Sequence, residues 1–289
     1  MKCFGAGFST ILIGLLVGSS LAQRAAPLAE NAALRYWSAF SEVQDVSLTD
    51  QQAQELNAIL DGTAPFDDLR YKVLLDKNAL ALEIMARATA LPSCEWGLDY
   101  GLGPEVPVNY ARKALVLGRL NVLYALHLFK NGKMDDAVRA LAAGLRFSHD
   151  VGNGGSLFAT LIAKDLLMNH LRAIGAALHL EQLSAPQRSR LHAAVAQLGD
   201  GLDWSNAAKR DLEALRGEYR ATSEASAALN RIISSYVAAM NDESKLSALN
   251  QAVESAPPEL ATVIPNAKRV LEEKQDLNNS LLQTKSLLQ

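Results

Sequence analysis

The chain carries five histidines, His127, His149, His170, His179 and His192, and two cysteines, Cys3 and Cys94. Metal signatures such as HExxH and CxxC space two donors so that both face one ion. Neither occurs here. His149 and Asp150 are adjacent, and neighbours on a helix point to different faces. Asp165 and His170 are five apart, a poor spacing for a shared metal. There is no GxSxG nucleophile elbow and no glycine-rich phosphate loop ending in GKS or GKT. Gly101-Leu102-Gly103-Pro104 is too short and proline-bound for a dinucleotide loop. The run Gly152-Asn153-Gly154-Gly155 precedes a helix, whose N-terminus can take an anion; a plain turn between helices is the preferred reading. No metal, cofactor or catalytic residue is assigned.

One segment still gathers chemistry-bearing side chains. Residues 91–107, LPSCEWGLDYGLGPEVP, hold three prolines and three glycines and form the longest irregular stretch inside the chain. Within it lie Cys94, Trp96, Asp99 and Tyr100, the candidate binding residues. Cys94 as a nucleophile would need a nearby base; Glu95 beside it raises the thiol pKa instead. Functional residues favour loops held by rigid scaffolds. The alternative is that Trp96 and Tyr100 plug a gap between helices.

The elements that must position this loop read as helices throughout. Alanine and leucine abound, β-branched residues rarely cluster, and strict apolar/polar alternation is hard to find. Helices are expected over 28–43, 49–60 with Thr49 and Gln52 as a capping box, and a long 67–90 ended by Pro92. They resume over 109–131, 134–150, 156–180, 186–198, a long 203–240 and 243–255. Pro257-Pro258 and Pro265 then interrupt. The tail 266–289 is amphipathic, with Val270, Leu277, Leu281 and Leu288 on one stripe that can pack back or pair with a partner helix. The fold class expected is all-α, an antiparallel array of helix hairpins over 23–265 followed by the C-terminal helix 266–289.

The 289 residues suit one or two domains, and the 49% hydrophobic content allows a sizeable core. Lys+Arg is 28 against Asp+Glu 31. That near balance argues against a nucleic-acid binder built on a basic surface. Residues 1–22 have the layout of a secretory signal peptide: Lys2, an uncharged apolar run over Phe8 to Val17, and Ser20-Leu21-Ala22 before a cut at Gln23. The run is short for a bilayer span, and position 23 is not the cysteine that lipoprotein anchoring needs. Cleavage after Ala22 takes the net charge from −3 to −4, because Lys2 is the only charged residue removed. It leaves a single thiol, Cys94. The expected location is the bacterial periplasm or the medium, with no membrane span after cleavage.

Asn121 to Leu145, NVLYALHLFKNGKMDDAVRALAAGL, resembles a tetratricopeptide repeat. Ala125 stands at the small position of the first helix and Leu128 at a large apolar one. Gly132 fills the turn, Ala137 is the small residue early in the second helix, Leu141 is the large one, and Gly144 sits where the helices approach. Long side chains at the small sites would push antiparallel helices apart. The family's early Trp position is Asn121, and no closing Pro follows Phe147. The match covers about 25 of the 289 residues, without a convincing second copy near a 34-residue period. The resemblance implies a helical solenoid whose concave face binds peptides or proteins. The expected function is therefore an exported, non-enzymatic scaffold for a protein or peptide partner. Two alternatives stand beside it: an exported enzyme whose site at 91–107 forms only in three dimensions, and a cell-envelope structural protein that self-associates through the C-terminal helix.

Overall fold

Helix α1, Ala32–Glu42, starts where the side chain of Asn31 accepts the Ala33 amide at 3.0 Å and so supplies its N-cap. The computed structural model describes residues 30–44, 50–106, 108–180, 183–220 and 223–289. The expected signal peptide 1–22 and the Thr49 cap lie outside those residues. Helix α2, Asp50–Leu60, runs into Asp61-Gly62, where glycine takes a positive φ of 71°.

The long helix expected over 67–90 is two helices, α3, Asp68–Lys77, and α4, Ala79–Ala88. The break is at Asn78, which is fully buried. Its amide donates to the carbonyls of Gln44 and Leu74 at 3.0 and 2.8 Å, and its Oδ1 accepts the Gln44 amide at 2.8 Å. Asparagine competes with the helix for backbone partners, and here that competition ties the end of α1 to the α3–α4 corner.

Helices α5, Asn109–Lys130, α6, Met134–Gly152, and α7, Leu157–His179, pack on one another and make the centre of the core. The α5–α6 turn closes as a Schellman motif: the Lys133 amide donates to Leu128 O at 2.9 Å and the Gly132 amide to Phe129 O at 3.1 Å, with Gly132 at φ 72°. Ala125, Ala137 and Leu141 are fully buried in this hairpin. Gly144 is where the three helices come closest. A Cβ there would lie 2.0 Å from His170 Nε2 on α7 and 2.4 Å from Asn121 Nδ2 on α5.

Helix α8, Ala185–Ala196, follows, with a capping box between Ser184 and Gln187. It packs on α6 but scarcely touches α7, so 156–180 and 186–198 do not form a second hairpin. The helix beside both α7 and α8 is instead the last one, α13, Ala267–Leu288. Its stripe of Val270, Leu277, Leu281 and Leu288 is buried within the chain. Lys164 of α7 pairs with Glu273 at 2.6 Å, and Lys285 donates to Gly199 O at 3.2 Å just beyond α8. A basic side chain at a helix C-terminus satisfies orphan carbonyls and complements the dipole.

The helix expected over 203–240 is likewise divided. Helix α9, Trp204–Ala214, passes into a 3-10 segment, Leu215–Arg220, before α10, Ser223–Asn241. Helices α11, Leu246–Glu254, and α12, Pro258–Ala261, lead back to α13. The fold is all-α. Among the described residues the one β feature is an isolated bridge between Asn31 and Ser93. None of the described helices is long and apolar enough to cross a membrane.

Candidate functional site

The 91–107 loop is stitched to α1 at one end. Ala32 N donates to Ser93 O at 2.7 Å, while Asn31 and Glu95 exchange hydrogen bonds of 2.9 Å in both directions. From there Cys94, Trp96 and Tyr100 turn inward, to the end of α6. Trp96 is buried and its indole N–H donates to Asp150 O at 2.9 Å. Its ring stacks on Tyr110 with centroids 4.0 Å apart, and also meets Tyr36 and Phe40. Tyr100 donates its hydroxyl to Gly154 O at 3.0 Å, under the Arg210 guanidinium. Tyr110 reaches Val151 O at 3.3 Å. Asp99 accepts the Gly101 amide at 2.9 Å and so caps the short 3-10 segment Tyr100–Glu105. These donors reach carbonyls at and just beyond the end of α6, of which Val151 O also accepts the Gly154 amide at 3.4 Å.

The half-buried Cys94 thiol points at Asp150 O, 3.9 Å away. Burial pushes its pKa well up, the Asp150 carboxylate adds to that, and Glu95 contributes least. A thiol held protonated is a weak nucleophile. Beneath the loop, Asp150 is only 3% exposed. It accepts the Tyr36 hydroxyl at 2.7 Å and lies 3.0 Å from Arg146 Nε, an ion-pair contact in which the N–H is not aligned on the oxygen. Burial raises the Asp150 pKa against the pull of Tyr36 and Arg146.

The glycine run 152–155 makes a turn, and the anion position at the N-terminus of α7 is filled by the chain itself. Asp211 Oδ2 accepts the Leu157 amide at 2.9 Å. Burial raises the Asp211 carboxyl to about 6, with the Leu157 hydrogen bond acting the other way. Asp165 and His170 diverge, as their spacing suggests. Asp165 pairs with Arg119 at 3.3 Å, whereas His170 is fully buried with Nδ1 2.7 Å from Leu166 O.

Among several open features of the described residues, one is a groove of about 660 Å³ between α4 and α6, lined also by residues of α5 and by the end of α8. Its α4 wall is Ala79, Leu82, Glu83, Ala86 and Thr89. Its α6 wall is Asp136, Arg139, Ala140, Ala142, Ala143 and Arg146, and Ala194 of α8 and Gln197 just after it complete the lining. Many of the facing positions on the two helices are alanine, which leaves no side chain long enough to fill the space between them. Glu83 pairs with Arg87 and Asp136 with Arg139. The terminal nitrogens of Arg146 make no hydrogen bond to the protein among the described residues.

Asn121 and Tyr124 form the floor. Asn121 is 2% exposed, and its Nδ2 lies 2.9 Å from Ala140 O and 3.1 Å from His170 Nε2. His170 faces a carbonyl through Nδ1, so Nδ1 carries the proton and Nε2 is an acceptor. Burial pushes its pKa down to about 4, which keeps the ring neutral. Both Nδ2 protons of Asn121 are thereby committed to internal acceptors. Its Oδ1 is the polar atom left without an internal partner.

No family model matches this chain, and no curated protein and no solved structure shows significant similarity to it. Of the loop residues to which the sequence points, Cys94, Trp96 and Tyr100 meet around the end of α6, whereas Asp99 is exposed and caps its own loop. The sequence passed over Arg146, Asn121 and the groove alanines. The spacing of Ala79, Glu83 and Ala86, and of Arg139, Ala142, Ala143 and Arg146, is that of a single helix face. The same pattern describes an ordinary solvated face, so it carries no signal of its own.

Proposed function

We propose that this chain is an exported helical scaffold that binds a protein or peptide segment in the groove between α4 and α6. The observation that carries the reading is the groove itself, about 660 Å³ of open space with alanine walls and a polar floor. Ligand sites are concave and mostly apolar, with a few placed polar groups. Export is supported by the layout of residues 1–22. The tetratricopeptide-like features of the α5–α6 hairpin fit a scaffold built to present such a surface.

The test fills the groove from an exposed position. Ala86 on α4 faces solvent, so Ala86→Trp adds bulk there without entering the core. Panning of displayed random peptides on the full chain should enrich binders that Ala86→Trp no longer holds, with unfolding transitions matching. Peptides held equally well by the filled variant, or no enrichment at all, overturn the reading.

A further inference from the structure

We infer that the groove takes a short extended peptide segment bearing an acidic side chain, with the carboxylate on Arg146 and a backbone N–H on Asn121 Oδ1. This rests on the groove being the binding site and adds the chemistry of its occupant. Each other charged residue of the two walls has a partner: Glu83 has Arg87, and Asp136 and Arg139 have each other. Arg146 differs. Its Nε end is drawn to the buried Asp150, 3.0 Å away, which is itself fixed by the Tyr36 hydroxyl at 2.7 Å. The guanidinium is therefore held at its inner edge while its terminal nitrogens remain available, and a fixed guanidinium edge is the donor arrangement that carboxylates take up in pairs.

The floor supplies the complement. Asn121 is 98% buried by its 2% exposure, both Nδ2 protons are spent inside the protein, and Oδ1 stands ready to accept a donor. A peptide backbone provides that donor at regular intervals. Length favours a peptide over a small acid. The α6 wall runs from Asp136 to Arg146 and the α4 wall from Ala79 to Thr89, each roughly 15 Å long at 1.5 Å per residue. That is the span of about four or five extended residues at 3.3 Å each. The alanine walls suit small apolar neighbours on either side of the acid.

The experiment titrates the full chain with N-acetylated, C-amidated hexapeptides, so that a side chain supplies the only carboxylate. Each has one Glu or Gln among Ala and Val, and free glutarate serves as the small-acid probe. Glu peptides should bind at least tenfold more tightly than their Gln counterparts, and glutarate far more weakly than either. In the double variant Arg146→Gln with Asp150→Asn, which removes both charges of the buried pair together, the Glu preference should vanish; Arg146→Lys, which keeps the charge and loses the planar edge, should retain part of it. Equal binding of Glu and Gln peptides that Ala86→Trp still abolishes overturns the acidic preference and leaves the groove reading standing. Glutarate binding as tightly as the peptides overturns the peptide assignment. Binding of no hexapeptide at all overturns this inference together with the groove reading beneath it.

Discussion

The 91–107 loop and the α4–α6 groove are opposites in composition and in use. The loop concentrates the residues usually associated with chemistry: a thiol, an indole, a carboxylate and a phenol. Trp96 and Tyr100 spend their donors on the chain's own backbone, at Asp150 O and Gly154 O, and one oxygen of Asp99 accepts the Gly101 amide. The groove has alanine walls, yet it holds the open space and the uncommitted polar atoms of Arg146 and Asn121. Reactive side-chain types do not make a site unless they are left without partners. The carbonyls at a helix end draw such side chains in, whereas small residues on two facing helices leave the space between them unfilled.

The strongest test of this contrast is Trp96→Ala. It removes a ring stacked 4.0 Å from Tyr110 and a donor to Asp150 O, and should cost about 3–5 kcal/mol in chemical denaturation, as large buried aromatics do. A loss below about 1 kcal/mol would mean that the loop is not structural, and the comparison would fail at its first term.

Gly144→Ala probes the support beneath the groove floor. The new methyl would meet His170 and Asn121 inside van der Waals contact, so a loss of about 1–3 kcal/mol is expected from overpacking. If Asn121 is displaced, the groove should lose affinity as well, which a binding titration on the still-folded variant reads directly.

Two desolvated titratable groups, the half-buried Asp211 and the buried His170, should give opposing pH dependences. Asp211 is raised from 3.8 to about 6, so in the native state it keeps a proton that the unfolded chain releases, and it contributes less stability as pH rises across that interval. His170 is lowered from 6.5 to about 4, so the unfolded chain binds the proton first and stability is lost as pH falls across that interval. The wild-type profile between about pH 4 and 6 should therefore be flattened. Asp211→Asn removes one slope and should stabilise the protein at pH 7 by about 1–2 kcal/mol relative to pH 4.5, after allowance for solvent at this half-buried site. Urea midpoints at the two pH values measure it, and an unchanged profile would show that Asp211 is not desolvated at the α7 terminus.

The smallest effect belongs to the groove wall. Ala86→Trp should move stability by no more than about 0.5 kcal/mol, because exposed helix positions tolerate substitution. A thermal scan checks it. A large destabilisation would place Ala86 in a packed interface, and the region would cease to differ from the loop.

Much of the helical layout is legible in the sequence because its signals are local. Gly132 marks the α5–α6 turn through backbone geometry that depends on a few neighbouring residues. Ala125, Ala137 and Gly144 show where small residues let helices meet. The two overlong helices went wrong for identifiable reasons. Asn78 acts through Gln44, 34 residues away, and no helix periodicity reports such a partner. Helices α9 and α10 are separated by a 3-10 turn inside a segment whose composition stays helical. The loop was readable as irregular, but its residues could not be assigned to binding or to packing without knowing that the carbonyls of α6 lie beneath them.

The sequence by itself determined that the chain is helical, where most helices stop, and which hairpin has its small residues in register. These follow from backbone propensity, capping and 3.6-residue periodicity, which act over one or two turns. Only the tertiary structure decided that α13 rather than α8 lies against α7, that Trp96 closes a helix end, and that the alanines of α4 and α6 face each other across open space. Those outcomes depend on which helices cross and at what distance. An alanine reads the same in the sequence whether it faces a neighbouring helix, the solvent or a groove.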